Sequence, residues 1–291
     1  MLNRGRIGTI DSGPLGGGIE PHARSARYPK TLTMQGHPLF RKAPPPYGTI
    51  AFDCDSTLSA IEGIEALAAA AGREAEVRAW TEEAMAGSVP LEDVYGRRLE
   101  LIRPSHAAVV ALGERYVETL MPGARELVAA LLALEKRVCV VSGGLLEPVR
   151  ALARELAIPS EDVFAVELRF GSGGAYAGFD ARQPLARSRG KLEVLRSLAE
   201  GPRARPPLAL VGDGATDLEA SPASSRFIAF GGVARHEAVL AAADERCEAS
   251  DLAALLPLLC ASSEIERLAR EPRHEALVAR ARELAPEGDL L

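Results

Sequence analysis

Two aspartates stand one residue apart in Phe52-Asp53-Cys54-Asp55-Ser56-Thr57, directly after the apolar stretch Thr49-Ile50-Ala51-Phe52. Alternate side chains of a strand share a face, so an apolar strand ending here sends Asp53 and Asp55 into one space. Like charges that close repel and raise a pKa. The pair therefore calls for a cation or a proton-transfer task. Further polar groups follow other apolar runs: Ser142-Gly143-Gly144 leads from one into a helical stretch, and Gly212-Asp213-Gly214-Ala215-Thr216-Asp217 follows another. Lys191 opens the helical stretch before the second of these. Magnesium takes hard oxygen ligands, glycines leading into a helix N-terminus cradle phosphate, and a lysine adds a point charge for the same anion. The set fits phosphoryl chemistry through an aspartyl-phosphate. Each piece has a plainer reading alone. A lone Asp-x-Asp is common, Ser142-Gly143-Gly144 reads as a strand-to-helix turn, Asp213 as a helix cap, and Lys191 as a solvated lysine. Their order along the chain is what favours chemistry.

The elements that must position these groups alternate. Strands are expected at Thr49–Asp53, Arg137–Ser142, Val163–Phe170, Leu208–Asp213 and Phe227–Phe230, and helices at Ala124–Glu135, Leu146–Leu156, Lys191–Ala199 and His236–Ala243. That alternation predicts an α/β fold, a Rossmann-like parallel sheet with helices on both faces. Ligands of such sheets bind outside the carboxyl ends of the strands, where these groups fall. From Glu62 to about Tyr116 the pattern is helical with no strand, which predicts a small helical domain inserted after the first strand. The expected organisation is an α/β core at 47–59 and 120–255, a helical cap at 60–119, and a C-terminal helical extension at 256–291 packing outside the core. Residues 1–46, with Gly13-Pro14-Leu15-Gly16-Gly17-Gly18 and Pro44-Pro45-Pro46, carry no period and are expected to be a disordered extension. Met34 offers a second translation start.

Composition narrows the class. The chain has 291 residues, 47% of them hydrophobic, enough for a sizeable core. A net charge of -6 gives no footprint for nucleic acid or an acidic membrane surface. Cys54, Cys139, Cys247 and Cys260 are scattered and read as buried thiols of a reducing compartment. There is no apolar run of membrane-spanning length and no signal-peptide core, so a cytoplasmic protein is expected.

The order Asp53-x-Asp55-Ser56-Thr57, Ser142-Gly143-Gly144, Lys191 and Gly212-Asp213-Gly214-Ala215-Thr216-Asp217 resembles the haloacid dehalogenase superfamily, and within it the branch that hydrolyses O-phospho-L-serine. Supporting pieces are Glu62-Gly63-Ile64, Ala84-Met85-Ala86-Gly87-Ser88-Val89-Pro90, Arg97-Arg98-Leu99, Tyr176-Ala177-Gly178-Phe179-Asp180 and Phe230-Gly231-Gly232. The resemblance covers roughly residues 48 to 255. It implies that Asp53 is the nucleophile and Asp55 the general acid, then base. It implies a magnesium cofactor held by Asp53, the backbone carbonyl of Asp55 and Asp213, with Asp217 orienting the cluster from behind. Ser142 and the Gly143 N–H would bind phosphoryl oxygens, with Lys191 neutralising charge. Thr216 would lie beside the bound ester, Glu62 would pair with the substrate ammonium, Arg98 with its carboxylate, and Met85 would line the side-chain pocket. The cap would close to exclude water.

Plainer roles exist here too. Glu62 suits a helix N-terminus, Arg98 a charged face, and Met85 core filler. Cys54, Trp80 and His106 read as structural. Leu91 and Leu145 stand where the family usually has phenylalanines, and Arg189 interrupts the Ser-Gly-Gly-Lys run usual before the lysine. None removes a catalytic group, and the first changes the pocket wall. The expected partner is a small phosphomonoester, with no nucleic acid and no membrane. A homodimer is left open. The alternatives are a related phosphatase or phosphotransferase acting on another small phosphomonoester, and a non-catalytic regulatory module.

Overall fold

A computed structural model describes residues 45–85 and 91–284, with side chains not described over 82–90. Residues 1–44, most of the expected extension, lie outside this range, as do the side chain of Met85 and the segment Ala86-Gly87-Ser88-Val89-Pro90. The chain begins with β1 (Thr49–Phe52) and passes into four helices, α1 (Gly63–Ala70), α2 (Glu74–Met85), α3 (Leu91–Ile102) and α4 (His106–Glu118). It continues through α5 (Ala124–Ala133), β2 (Arg137–Leu145), α6 (Leu146–Glu155), β3 (Val163–Val166), β4 (Leu168–Phe170) and β5 (Tyr176–Phe179). Then come α7 (Gly190–Glu200), β6 (Leu208–Gly212), α8 (Ala215–Ala220), β7 (Arg226–Phe230), α9 (Glu237–Ala242) and β8 (Glu245–Cys247). Last are α10 (Leu256–Leu259), α11 (Ser262–Ala269) and α12 (Pro272–Leu284).

Six strands form a parallel sheet in the order β3-β2-β1-β6-β7-β8. Every residue of β1 is buried, which is why its four residues carry no outward polar side chain. Strand order reverses between β1 and β6, with β2 and β3 on one side and β7 and β8 on the other. The crevice at such a switch point is where open α/β sheets bind ligands, and both aspartate motifs end there. The inserted helices leave and rejoin the core at one place. Ser59 and Leu120 form an antiparallel bridge. Beside it the Ala60 N–H donates to the Thr119 carbonyl at 2.9 Å and the Met121 N–H to the Leu58 carbonyl at 2.9 Å.

Four expectations differ. The run Val163–Phe170 is two strands rather than one: β3 joins the main sheet, while β4 pairs antiparallel with β5 in a separate two-stranded sheet. The edge strand β8 has only three residues, two of them exposed, and so carries no apolar signature. The stretch Ser142-Gly143-Gly144 lies within β2, whose register against β3 shifts between Val141 and Leu145, and is not a turn after it. Finally, the C-terminal tail does not pack outside the core. Leu256, Leu259 and Leu268 are each 0% exposed and, with Leu277, belong to the core cluster. Burying each leucine is worth roughly 1.5–3 kcal/mol, so these side chains seek a partner and find it against α5 and its neighbours. Among the described residues no helix is long and apolar enough to cross a membrane.

Candidate active site

β1 ends at Phe52, so Asp53 and Asp55 are not on a strand face as expected; the loop after it brings them together. Ser56 takes a left-handed φ of 51°, rare for a residue with a side chain. The resulting turn lets the Cys54 carbonyl accept from the Leu58 and Ser59 N–H groups at 2.9 and 3.0 Å. Backbone strain of this kind concentrates at working sites. Asp53 Oδ1 accepts from the Cys54 N–H at 2.8 Å, and Asp53 Oδ2 lies 3.1 Å from Lys191 Nζ. Lys191 also donates to Asp217 Oδ1 at 2.7 Å, so one buried ammonium spans two acids. Burial alone would lower its pKa, but Asp217 and Asp53 outweigh that and raise it.

Asp213 closes the cluster. Oxygen atoms of Asp53, Asp213 and Asp217 all lie within 4.8 Å of one another. Asp213 accepts from the Thr57 hydroxyl at 3.2 Å, and His236 Nε2 stands 3.7 Å from its other oxygen. Burial, then the charges of Asp53 and Asp217, push Asp213 up to about 9. Burial likewise lifts Asp217 to about 7 against the pull of Lys191. Asp217 is fully buried, and its second oxygen accepts from the Gly214 N–H at 3.2 Å. Gly212 makes room for it, since a Cβ there would sit 2.2 Å from Asp217 Cγ. Three carboxylates sharing so small a space repel unless a cation joins them.

Asp55 is held differently. Its Oδ1 accepts from the Tyr116 hydroxyl. Burial first, then the charge of Glu62, hold its carboxyl well above the ordinary carboxylate range. A carboxyl whose pKa is raised in this way suits a general acid. Gly144 permits the approach: a Cβ there would stand 3.1 Å from Ser142 Oγ and 3.3 Å from Asp55 Oδ2.

These groups open onto one cavity of about 430 Å³ between the sheet edge and the inserted helices. Asp53, Asp55, Glu62, Arg98, Ser142, Gly143, Lys191, Asp213 and Thr216 all line it. Asp217 lies behind the wall. Met85 closes α2, and its side chain lies outside the described residues. Glu62 accepts from the Ser56 hydroxyl at 2.5 Å; burial and the charge of Asp53 raise its carboxyl while that bond and Arg98 pull it down. Arg98 is buried at 8% exposure, and burial lowers its pKa. Its Nη1 donates to Thr81 at 3.1 Å, but its buried Nε has no partner. Leu91 and Leu145 form part of the wall, and Arg189 sits at the N-cap of α7 with a φ of 60°, donating its N–H to Glu219 at 2.7 Å. Trp80 packs under Arg97, whose Cζ is 4.4 Å from the ring centroid.

Three further residues at the site, Tyr116, Tyr95 and His236, stand outside the sequence motifs. Tyr116 lies 61 residues from the acid it touches and belongs to no motif. His236 stands four residues after Phe230-Gly231-Gly232, which was the only available pointer to it.

A model of the haloacid dehalogenase-like hydrolases matches residues 50–221. The chain belongs to that family. Phosphoserine phosphatase of Mus musculus is 42% identical over 199 residues, which cover 68% of this chain and 88% of the relative. The enzyme of the same name from Bos taurus is 44% identical over 183 residues, 63% of this chain and 81% of its own. A phosphoserine phosphohydrolase-like protein from Francisella tularensis superposes with a TM-score of 0.62 at 27% identity, covering 72% of this chain and 99% of that one.

Proposed function

We propose that this hydrolase is a magnesium-dependent phosphatase that converts O-phospho-L-serine to L-serine and phosphate, as the last step of serine biosynthesis in the cytoplasm. The observation that carries the reading is a single cavity lined both by acids of the cluster and by an arginine with an unpaired, buried Nε. A planar guanidinium with a free N–H suits a carboxylate, and Glu62 beside it suits an ammonium. The names of the relatives point the same way. Four buried cysteines, all unpaired, support a reducing compartment.

Asp53 attacks phosphorus and forms the aspartyl-phosphate as the ester P–O bond breaks. The leaving serine oxygen takes its proton from Asp55. Asp55, now a carboxylate, removes a proton from water; that water attacks phosphorus, and phosphate leaves with Asp53 restored. Ser142 and the Gly143 N–H bind the phosphoryl oxygens, Lys191 offsets their charge, and Thr216 lies beside the ester. The donors suit magnesium, being hard oxygens of repelling acids: Asp53, Asp213 and the Asp55 carbonyl would hold it, with Asp217 behind. When bound, that ion supplies charge stabilisation for the transferring group. The inserted helices 60–119 act as a cap that carries Glu62, Arg98 and Met85.

The test is phosphate release with magnesium from phosphoserine, phosphothreonine and sugar phosphates. Phosphoserine is expected to be preferred, and indifference to the amino-acid part rejects the reading. Asp53→Asn is expected to abolish turnover with the fold intact by circular dichroism; full turnover excludes Asp53 as the nucleophile.

A further inference from the structure

Tyr95 stands in the cavity wall on α3, three residues before Arg98, and is 7% exposed. Its ring meets Phe179 edge to face, with centroids 5.5 Å apart. The Cζ of Arg98 lies 5.7 Å from the same ring centroid, within cation–π range. Its hydroxyl donates to the Gly143 carbonyl at 2.9 Å. That carbonyl and the Gly144 N–H belong to one peptide unit, and the Gly144 N–H donates to Ser142 Oγ at 2.9 Å. The peptide is thus held at both ends. Ser142 already accepts one bond, so its hydroxyl proton is left to donate elsewhere. Successive hydrogen bonds of this kind polarise one another. Burial pushes the Tyr95 phenol up, so it remains a neutral donor.

We infer that Tyr95 is a positioning residue that ties the two ends of the substrate site together. Its hydroxyl fixes the Gly143–Gly144 peptide on which Ser142 is oriented toward a phosphoryl group. Its ring supports the guanidinium of Arg98 at the other end. The second half rests on the proposed phosphoserine reading; the first needs only a phosphoryl group at Ser142. Its hydroxyl bonds a backbone carbonyl rather than a catalytic side chain, so it acts through its neighbours.

The experiment compares Tyr95→Phe and Tyr95→Leu in the full-length, magnesium-loaded enzyme with p-nitrophenyl phosphate as reporter substrate. Inhibition by inorganic phosphate and by L-serine is measured separately, with thermal midpoints alongside. Tyr95→Phe is expected to weaken phosphate inhibition about three- to tenfold, the worth of one neutral hydrogen bond. L-serine inhibition should stay within about twofold, and the midpoint within about 2 °C. Tyr95→Leu, which also removes the ring, should weaken both inhibitors. Unchanged phosphate inhibition in Tyr95→Phe overturns the claim. So does equal weakening of both inhibitors by that variant together with a fallen midpoint, which marks general loosening. A wild-type enzyme that turns over the reporter but ignores L-serine overturns the amino-acid half and the phosphoserine reading with it. The phosphate measurement then still decides what the hydroxyl does.

Discussion

The two edges of the parallel sheet both bury ions, and they balance them differently. At the N-terminal edge Arg137 holds Asp162 Oδ1 through Nη2 at 2.7 Å and Nε at 2.9 Å. Arg203 holds the other oxygen at 2.8 Å and lies 3.8 Å from Glu161. Lys136 bonds Glu264 at 2.7 Å and the Tyr47 carbonyl at 3.0 Å. Two buried cations there, Arg137 and Lys136, meet Asp162 and Glu264, with the exposed Arg203 and Glu161 at the rim. At the C-terminal edge Asp53, Asp55, Glu62, Asp213 and Asp217 have two buried cations among them, Lys191 and Arg98, while Arg187, Arg189 and His236 line the cavity less deeply. A buried network that serves only the fold closes its own charge, because an unpaired buried ion is costly. The other edge leaves a deficit and a free guanidinium N–H, which a cation and an anionic ligand can fill. Buried charge alone does not mark a site; imbalance does.

That contrast can be broken at either edge. Asp213→Asn is expected to lower kcat/KM about a thousandfold, measured by phosphate release at saturating magnesium. It should also raise the thermal midpoint of the metal-free protein, since one repelling acid is gone. A midpoint that falls instead erases the difference between the edges. Asp162→Ala should do the reverse. It strands buried Arg137 and costs about 3 kcal/mol in urea denaturation, while kcat/KM per folded molecule stays within about twofold. Arg98→Lys is expected to raise KM for phosphoserine about tenfold with little change in kcat, because a point charge replaces a planar fork. Hydrolysis of p-nitrophenyl phosphate should be unaffected, and equal losses on both substrates would remove the arginine from recognition. The smallest effect is one of pH. Asp213 titrates near 3.8 when unfolded and is held at about 9 in the fold. The folded state therefore binds more protons between these values, and stability falls as pH rises through that window. Thermal melts of chelated protein should show this decline, and Asp213→Asn should flatten it.

Much of this was legible in the chain because the chemistry and the strand ends coincide. The three apolar runs that became β1, β2 and β6 each lead to the residues they position, and the acids and Lys191 converge as their order implied. What stayed hidden depends on contacts between distant segments. Tyr116 reaches Asp55 only because the bridge at Ser59 and Leu120 folds α4 back over the loop. The break between β3 and β4 falls in the uninterrupted run Val163-Phe164-Ala165-Val166-Glu167-Leu168-Arg169-Phe170, where nothing local separates one strand from two. The tail was misjudged because its helical spacing shows an apolar stripe but not the surface that receives it. The pairing of Asp53 with Asp55 was anticipated, though a tight loop achieves it and strand alternation does not.

Trp80 carries one last consequence. It is the sole tryptophan of the sequence, and it stacks beneath Arg97 on the inserted helices, one position before the arginine that faces the cavity. Indole emission from this protein therefore has a single origin, and nothing in the sheet contributes background. Any event that disturbs the α2–α3 contact is readable as a colour or intensity change in unlabelled protein, which gives the molecule its own optical gauge of the cap.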